Sequence, residues 1–226
     1  MQEVLPGEVI SDEIPSVPQA EIAVSTIAHF HASAINFSIG ETNQNLTFHH
    51  LNEKHAEIEA VITEARGGVR KSAQRLLEVY EQFAANPPAK LPSIVVHGDL
   101  NKKNFLFAGK EAHLIDFDYF YVENRMSDLA QFCSSEWTMQ NGQMIDFDLV
   151  EHFVKEYHHQ NPISLEEAQH IDVYMMVDLL RIWMWRVLWQ MEEKEKRIHS
   201  KTRIEQERME HFLKYRSTVH KIADTL

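Results

Sequence analysis

The chain has 226 residues, 44% of them hydrophobic, enough for one well-packed domain or a pair of subdomains. A net charge of −12 argues against a nucleic-acid binder held by phosphate contacts; it suits plain solubility first and a cationic ligand second. A single cysteine, Cys133, excludes an internal disulfide framework and fits a reducing compartment, and "QEVLPGEVISDEIP" after Met1 lacks the apolar core of a signal peptide, so a cytoplasmic protein is expected.

Residues 1–19 read as an extended, turn-rich lead in which Pro6-Gly7, Pro15 and Pro18 block any helix. From about Gln19 to Phe37, the apolar positions Ala23, Ile27, Phe30 and Ala34 recur at helical spacing. The polar stretch "SIGETNQNLTFHH" predicts a loop over 38–50. Helices over roughly 53–65 and 69–85 follow, divided by Gly67-Gly68. The second carries Val69, Ala73, Leu76, Leu77, Tyr80 and Phe83 on one face, and Pro87-Pro88 ends it.

The β signal is central. "SIVVH" predicts a short buried strand, while "NFLF" and "AHLIDF" flank a turn at "AGKE" and predict a hairpin. Helices are then expected over about 127–136, 146–160, 164–195 and 200–224, the third opening on Ser164 and Glu167 at capping-box spacing. The most apolar run, "VDLLRIWMWRVLW", is too short for a bilayer and is broken by Arg181 and Arg186, so no membrane span is predicted. The fold class is mainly α with a small β hairpin (α+β).

Within that β region, "HGDLNKKN" sets Asp99 two residues after His97 and Asn104 five residues after Asp99. Phosphoryl transfer needs a carboxylate to accept or orient the acceptor's hydroxyl proton, a task for Asp99. It also needs hard cations bridging the nucleotide phosphates; the amide oxygen of Asn104 and the carboxylate of Asp116 are candidate Mg²⁺ ligands, returned to each other by the hairpin. Asp118, placed beside Asp116 by strand alternation, is a candidate for a second metal or an outer contact.

The order H-x-D-L-x-x-x-N, then Asp-Phe, resembles the protein-kinase signature, with Gly98 where kinases carry Arg and Asp118 where they carry Gly. "HGDL" with "IDFD" is more similar to the aminoglycoside phosphotransferase-like small-molecule kinases. "IDFDYFYVENRMSDLAQFCSSEW" resembles choline and ethanolamine kinases in its Asn, Arg, Cys and Glu-Trp. Homoserine-kinase-like relatives share the "HGDL…IDF…DLA" skeleton. The resemblance implies ATP as phosphoryl donor, Mg²⁺ and a small hydroxyl-bearing acceptor, while the charge and hydropathy above predict no nucleic acid or membrane partner. It makes Asp128 in "SDLA" and His97 structural braces of the catalytic loop.

The resemblance covers about residues 1–190 and one lobe of the family fold: a hinge-like lead (1–19), a C-lobe (20–195) with catalytic loop 97–104 and metal motif 115–118, and a charged C-terminal helix (196–226) packing on the lobe. Complete members begin with a β-rich N-lobe carrying a Gly-rich loop and a strand Lys. This chain has seven glycines, none in G-x-G-x-x-G, and no strand Lys ahead of the loop; Lys102 and Lys103 lie inside it. The expectation is therefore an incomplete kinase: a fragment, a chain served by a separate N-lobe polypeptide, or a catalytically silent binding or scaffold relative.

Glu136, Trp137, Trp185 and Trp189 are candidates for holding a cationic acceptor, an amino alcohol or aminoglycoside, although Trp at these spacings commonly fills a core. The fourteen histidines, among them His29 with His31, His49-His50 and His158-His159, fit no H-E-x-x-H or Cys/His zinc spacing.

Overall fold

The structure is a computed structural model that describes residues 5–10, 14–37, 56–57, 59–60, 63–84, 91–139, 143–192 and 199–226. The loop expected over 38–50, part of the helix expected over 53–65 and the prolines expected to end the next helix lie outside those residues. The chain divides into two compact units, one of residues 1–44, 91–175 and 216–226, the other of 45–90 and 176–215.

The first unit is built on α1, Val17–Ala34. It starts two residues earlier than the lead-segment reading allowed, and that reading is corrected at Pro18. Proline is compatible with a first helical turn, where its missing N–H is needed by no partner. Ser16 fixes the start, its N–H and hydroxyl both donating to Gln19 Oε1 at 2.9 and 2.8 Å. One face of α1 is largely small: Ala20, Ala23, Val24, Ile27, Ala28 and Ala34 are buried. It meets α4, Phe147–Gln160, whose Asp146 cap accepts the N–H groups of Asp148 and Leu149.

Two small antiparallel sheets stand against α1. Strand β1 (Ile94–Val96) pairs with β4 (Tyr121–Glu123), Val95 opposite Val122. Strands β2 (Phe105–Ala108) and β3 (Glu111–Leu114) form the expected hairpin, closed by Gly109 at φ 67°. The lead segment adds one bridge, Glu8 exchanging both backbone bonds with Phe107 at 3.0 and 2.9 Å. The β1–β4 pair corrects the expectation of a single hairpin. With three residues, β4 is too short to show any alternation in sequence.

Helix α3 (Met126–Cys133) follows β4 and ends on fully buried Cys133. The helix expected over 164–195 is two: α5 (Leu165–Ala168) and α6 (Ile171–Glu192). The chain tightens between them because His170 turns back, its N–H to Glu167 O and its ring to Glu166 O. The capping box is formed, Glu167 N–H reaching Ser164 Oγ at 3.2 Å and Ser164 N–H reaching Glu167 Oε2 at 2.9 Å. Near the C-terminus, Arg216 Nε donates to buried Asp172 at 2.6 Å.

The second unit is helical in its described residues. Helix α2 (Gly67–Ala84) buries Val69, Ala73, Leu76, Val79 and Tyr80, and its Ser72 hydroxyl accepts the indole N–H of Trp183 at 3.0 Å. Arg75 reaches Glu210, on α7 (Ser200–His220), with both Nε and Nη2. Among the described residues no helix is long and apolar enough to cross a membrane.

Candidate active site

The loop after β1 is held along its length by α3 and the turn beyond it. Asp128, in the first turn of α3, accepts His97 N–H on Oδ2 at 2.7 Å and Gly98 N–H on Oδ1 at 2.9 Å. Gln131, three residues on and so on the same helix face, accepts Leu100 N–H at 2.8 Å and donates to Gly98 O at 3.2 Å. Glu136 Oε1 accepts Lys102 N–H at 3.0 Å, and Trp137 Nε1 donates to Leu100 O at 2.8 Å.

Gly98 has φ +79°, and a Cβ there would lie 2.5 Å from Tyr119 O and 2.7 Å from the Tyr121 ring. That closeness is the physical reason this chain carries Gly where protein kinases carry Arg.

Asp99 is half-buried, and two amides fix its carboxylate: Asn101 Nδ2 and Asn104 Nδ2 both donate to Oδ2 at 2.9 Å. Asn104 Nδ2 also meets Asp99 O at 2.8 Å. These contacts use the nitrogen of Asn104, so its amide oxygen is the atom a cation can use. They also gather on one oxygen of Asp99, leaving Oδ1 as the one that a hydroxyl would approach.

The hairpin returns the chain to this point. Ile115 N–H donates to Asn104 O at 3.0 Å, so Asp116 follows directly on the residue bonded to Asn104. His97 ties the two segments together: its Nδ1 accepts Asp99 N–H at 3.3 Å, its Nε2 donates to Ile115 O at 3.0 Å, and its ring lies 4.6 Å from that of Phe117. Asp116 is exposed and left-handed (φ 64°, ψ 66°), the one non-glycine residue with positive φ among the described residues. Such a backbone costs on the order of 1 kcal/mol and is most accessible to Asn and Asp.

Asp118 is placed by a turn and not by a strand. The chain leaves the strand at Leu114, and Phe117–Tyr119 is a 3₁₀ turn, so strand alternation does not set Asp118 beside Asp116. Its exposed carboxylate sits on the same turn, two residues on.

Trp137 is buried, stacked on Phe132 and edge-on to Phe105, a place beneath the loop rather than on an open face. Trp185 and Trp189 belong to the second unit. Trp185 is 56% exposed and already carries the Arg186 guanidinium 4.6 Å from its ring centroid; Trp189 meets His199 edge-on.

The donor set of Asn104 and Asp116, an amide oxygen and an exposed carboxylate, suits hard Mg²⁺ bound with help from nucleotide phosphates. Among the described residues, no group of three or more His, Cys, Asp or Glu could hold a metal ion.

Asn101 and Gln131 were not singled out by motif reading. Gln131 had a signal, its spacing of three from Asp128 on a helix. Asn101, inside the loop, had none beyond its polarity.

The family model APH, Phosphotransferase enzyme family, matches residues 1–161. A homoserine kinase of Neisseria meningitidis serogroup B is 32% identical over 99 residues, 43% of this chain and 32% of that protein. One of Methylocella silvestris is 26% identical over 175 residues, 77% of this chain and 53% of that protein. The chain thus spans about a third and a half of the lengths of these two relatives. In fold it is similar to an ethanolamine kinase of Plasmodium vivax, with a TM-score of 0.66 at 15% identity over 96% of this chain and 65% of that one.

Proposed function

This chain belongs to the phosphotransferase enzyme family, and from that premise we propose that it carries the acceptor- and metal-holding part of an ATP-dependent kinase acting on a hydroxyl of a small molecule. The observation that carries the reading is the meeting of Asp99, Asn104 and the left-handed Asp116 at the open end of one hairpin. Asp99, its Oδ2 fixed by two amides, takes the acceptor's hydroxyl proton on Oδ1 as that oxygen bonds to the γ-phosphorus of ATP, while the bond from the γ-phosphorus to the β,γ-bridging oxygen breaks and ADP leaves. Mg²⁺, when bound, neutralises the phosphate charge that builds during transfer. Asn104 and Asp116 would supply its protein oxygens, and Asp118, two residues beyond Asp116, would be the candidate for a second ion or its waters. His97 and Asp128 hold the backbone on which Asp99 stands.

No Gly-rich phosphate loop occurs in the 226 residues. The chain spans about a third and a half of its two homoserine kinase relatives, and the clamping of nucleotide phosphates is proposed for the remainder of such a longer protein. For the acceptor we propose a small alcohol that also bears an amine, the feature shared by homoserine and ethanolamine, which name the activities of the relatives above. Homoserine stands first. Both sequence relatives are homoserine kinases, Glu136 is engaged with Lys102 N–H, and the Trp185 face meant for a cationic headgroup already carries Arg186.

The test is transfer of labelled γ-phosphate from Mg·ATP to homoserine, ethanolamine, choline, an aminoglycoside and a neutral hexose, with the chain alone and with the full coding region. Transfer to an amine-bearing alcohol that Asp99→Asn abolishes is the expected result. Acceptor binding without transfer in every form would establish the silent binding protein instead.

A further inference from the structure

Beneath the catalytic loop runs a line of polar side chains, buried apart from the half-buried Arg125. Asp128 Oδ2, besides taking His97 N–H, accepts a bond from His31 Nε2 at 2.9 Å. His31 Nδ1 lies 2.7 Å from the Tyr157 hydroxyl. Asn161 Nδ2 donates to that hydroxyl at 3.3 Å, Arg125 Nη1 donates to Asn161 Oδ1 at 2.8 Å, and Arg125 forks onto Glu167 at 2.9 and 2.8 Å. His31 and Tyr157 are 0% exposed and Asp128 1%. The groups come from α1, α3, α4, α5 and the residues that flank α3 and α4, and the widest bonded pair, His31 and Tyr157, is 126 positions apart in the chain.

Burying an imidazole, a phenol and a carboxylate together costs several kcal/mol unless each is bonded, and apolar side chains would fill the same space at less cost. The bonding here is complete in one arrangement. With the His31 proton on Nε2, that nitrogen donates to Asp128, Nδ1 accepts the Tyr157 O–H, and the phenolic oxygen accepts from Asn161. A doubly protonated His31 would direct a second N–H at a hydroxyl that already receives one, leaving the phenolic hydrogen without an acceptor. Burial raises the Tyr157 pKa, which keeps the phenol a donor.

We infer that His31 and Tyr157 are positioning residues for the catalytic loop, holding Asp128 in the orientation in which its two oxygens meet the His97 and Gly98 N–H groups and thereby setting where Asp99 stands. The inference rests on the reading of Asp99 as the base only for its effect on rate; its effect on the loop is independent of that chemistry. A carboxylate released from His31 is free to rotate, and Asp99 is two residues from the amides it holds. Displacements of this kind reduce turnover without weakening ground-state binding.

The experiment combines a spectroscopic and a kinetic measurement. Ring ¹⁵N correlations on the 226-residue chain should show His31 as the Nε2–H tautomer. Tyr157→Phe, which removes one oxygen, should speed exchange of the His97 and Gly98 amides by about tenfold, with amides of α2 unchanged. In the transferring form kcat should fall about tenfold with the acceptor KM within about twofold. His31→Gln, whose amide still offers a donor to Asp128, should retain more of both properties than His31→Leu. A His31 Nδ1–H tautomer, or unaltered exchange at His97 and Gly98 in Tyr157→Phe, overturns the inference. If His31→Leu fails to fold, Tyr157→Phe decides alone. Faster loop exchange in a chain that transfers no phosphate in any form would uphold the positioning role and reject the kinase reading. Undiminished kcat and exchange in an active enzyme would do the reverse.

Discussion

The loop 97–104 and the turn that follows Ile115 are joined by the Ile115–Asn104 bond but are held in opposite ways. In the loop, side chains from Asp128, Gln131, Glu136 and Trp137 take up the backbone polar groups of residue after residue. The turn has the Ile115–Asn104 bond, the His97 ring and a long Phe120-to-Phe117 contact at 3.3 Å, and its Asp116 is exposed and left-handed. The residue assigned to the proton is thus fixed in advance. The residue assigned to the cation stands where a ligand can still adjust it. A base works only when oriented, whereas Mg²⁺ takes its geometry from phosphates as much as from protein.

The contrast is broken most directly at Asp99. Asp99→Asn should lower kcat by about 10³-fold and leave Mg·ATP affinity unchanged by calorimetry; parallel losses in both would mean that the loop also holds nucleotide.

Gly98→Ala tests the tight side of the comparison. A Cβ 2.5 Å from Tyr119 O at φ +79° should cost about 2–3 kcal/mol in urea unfolding. A cost below about 0.5 kcal/mol would show that the loop is looser than its bonds suggest.

Acid tests how far the loop's support extends. Burial opposes ionisation of Glu167, but the Arg125 and Ser164 hydrogen bonds overcome it and hold its pKa at about 2, against an ordinary 4.5. A depressed carboxyl contributes stability that is present above pH 4.5 and lost as pH falls toward 2. Glu167→Gln should therefore be less stable than wild type by roughly 2 kcal/mol at neutral pH. The gap should close across that acid window. A gap independent of pH would assign the loss to packing.

The smallest stability effect belongs to the turn. Asp116→Gly exchanges left-handed strain for unfolded-state entropy, so unfolding should change by less than about 1 kcal/mol, while Mg²⁺-dependent nucleotide binding weakens. Retained metal dependence would move the cation ligand elsewhere.

The local strand, loop and hairpin that carry the candidate residues were legible in the sequence. His97, Asp99, Asn104 and Asp116 lie within one strand-loop-hairpin run, and the register of that hairpin follows from its own turn. What could not be read was long-range or conformational. His31 and Tyr157 look like ordinary members of amphipathic helices until the fold closes them on Asp128. Strand β4 is too short to alternate, and the 3₁₀ turn after Asp116 overrides the strand that "AHLIDF" predicts. Glu136 and Trp137 stood out for their types, and only their contacts show them turned inward to the loop.

Cys133 closes the helix that supplies Asp128 and Gln131. It is the chain's one thiol, fully enclosed, and burial raises its pKa so that almost no thiolate forms while it stays covered. A disulfide reagent can therefore modify it only during the intervals when α3 lifts away, and the labelling rate becomes a clock for the opening of the support beneath the 97–104 loop, readable without substrate or metal.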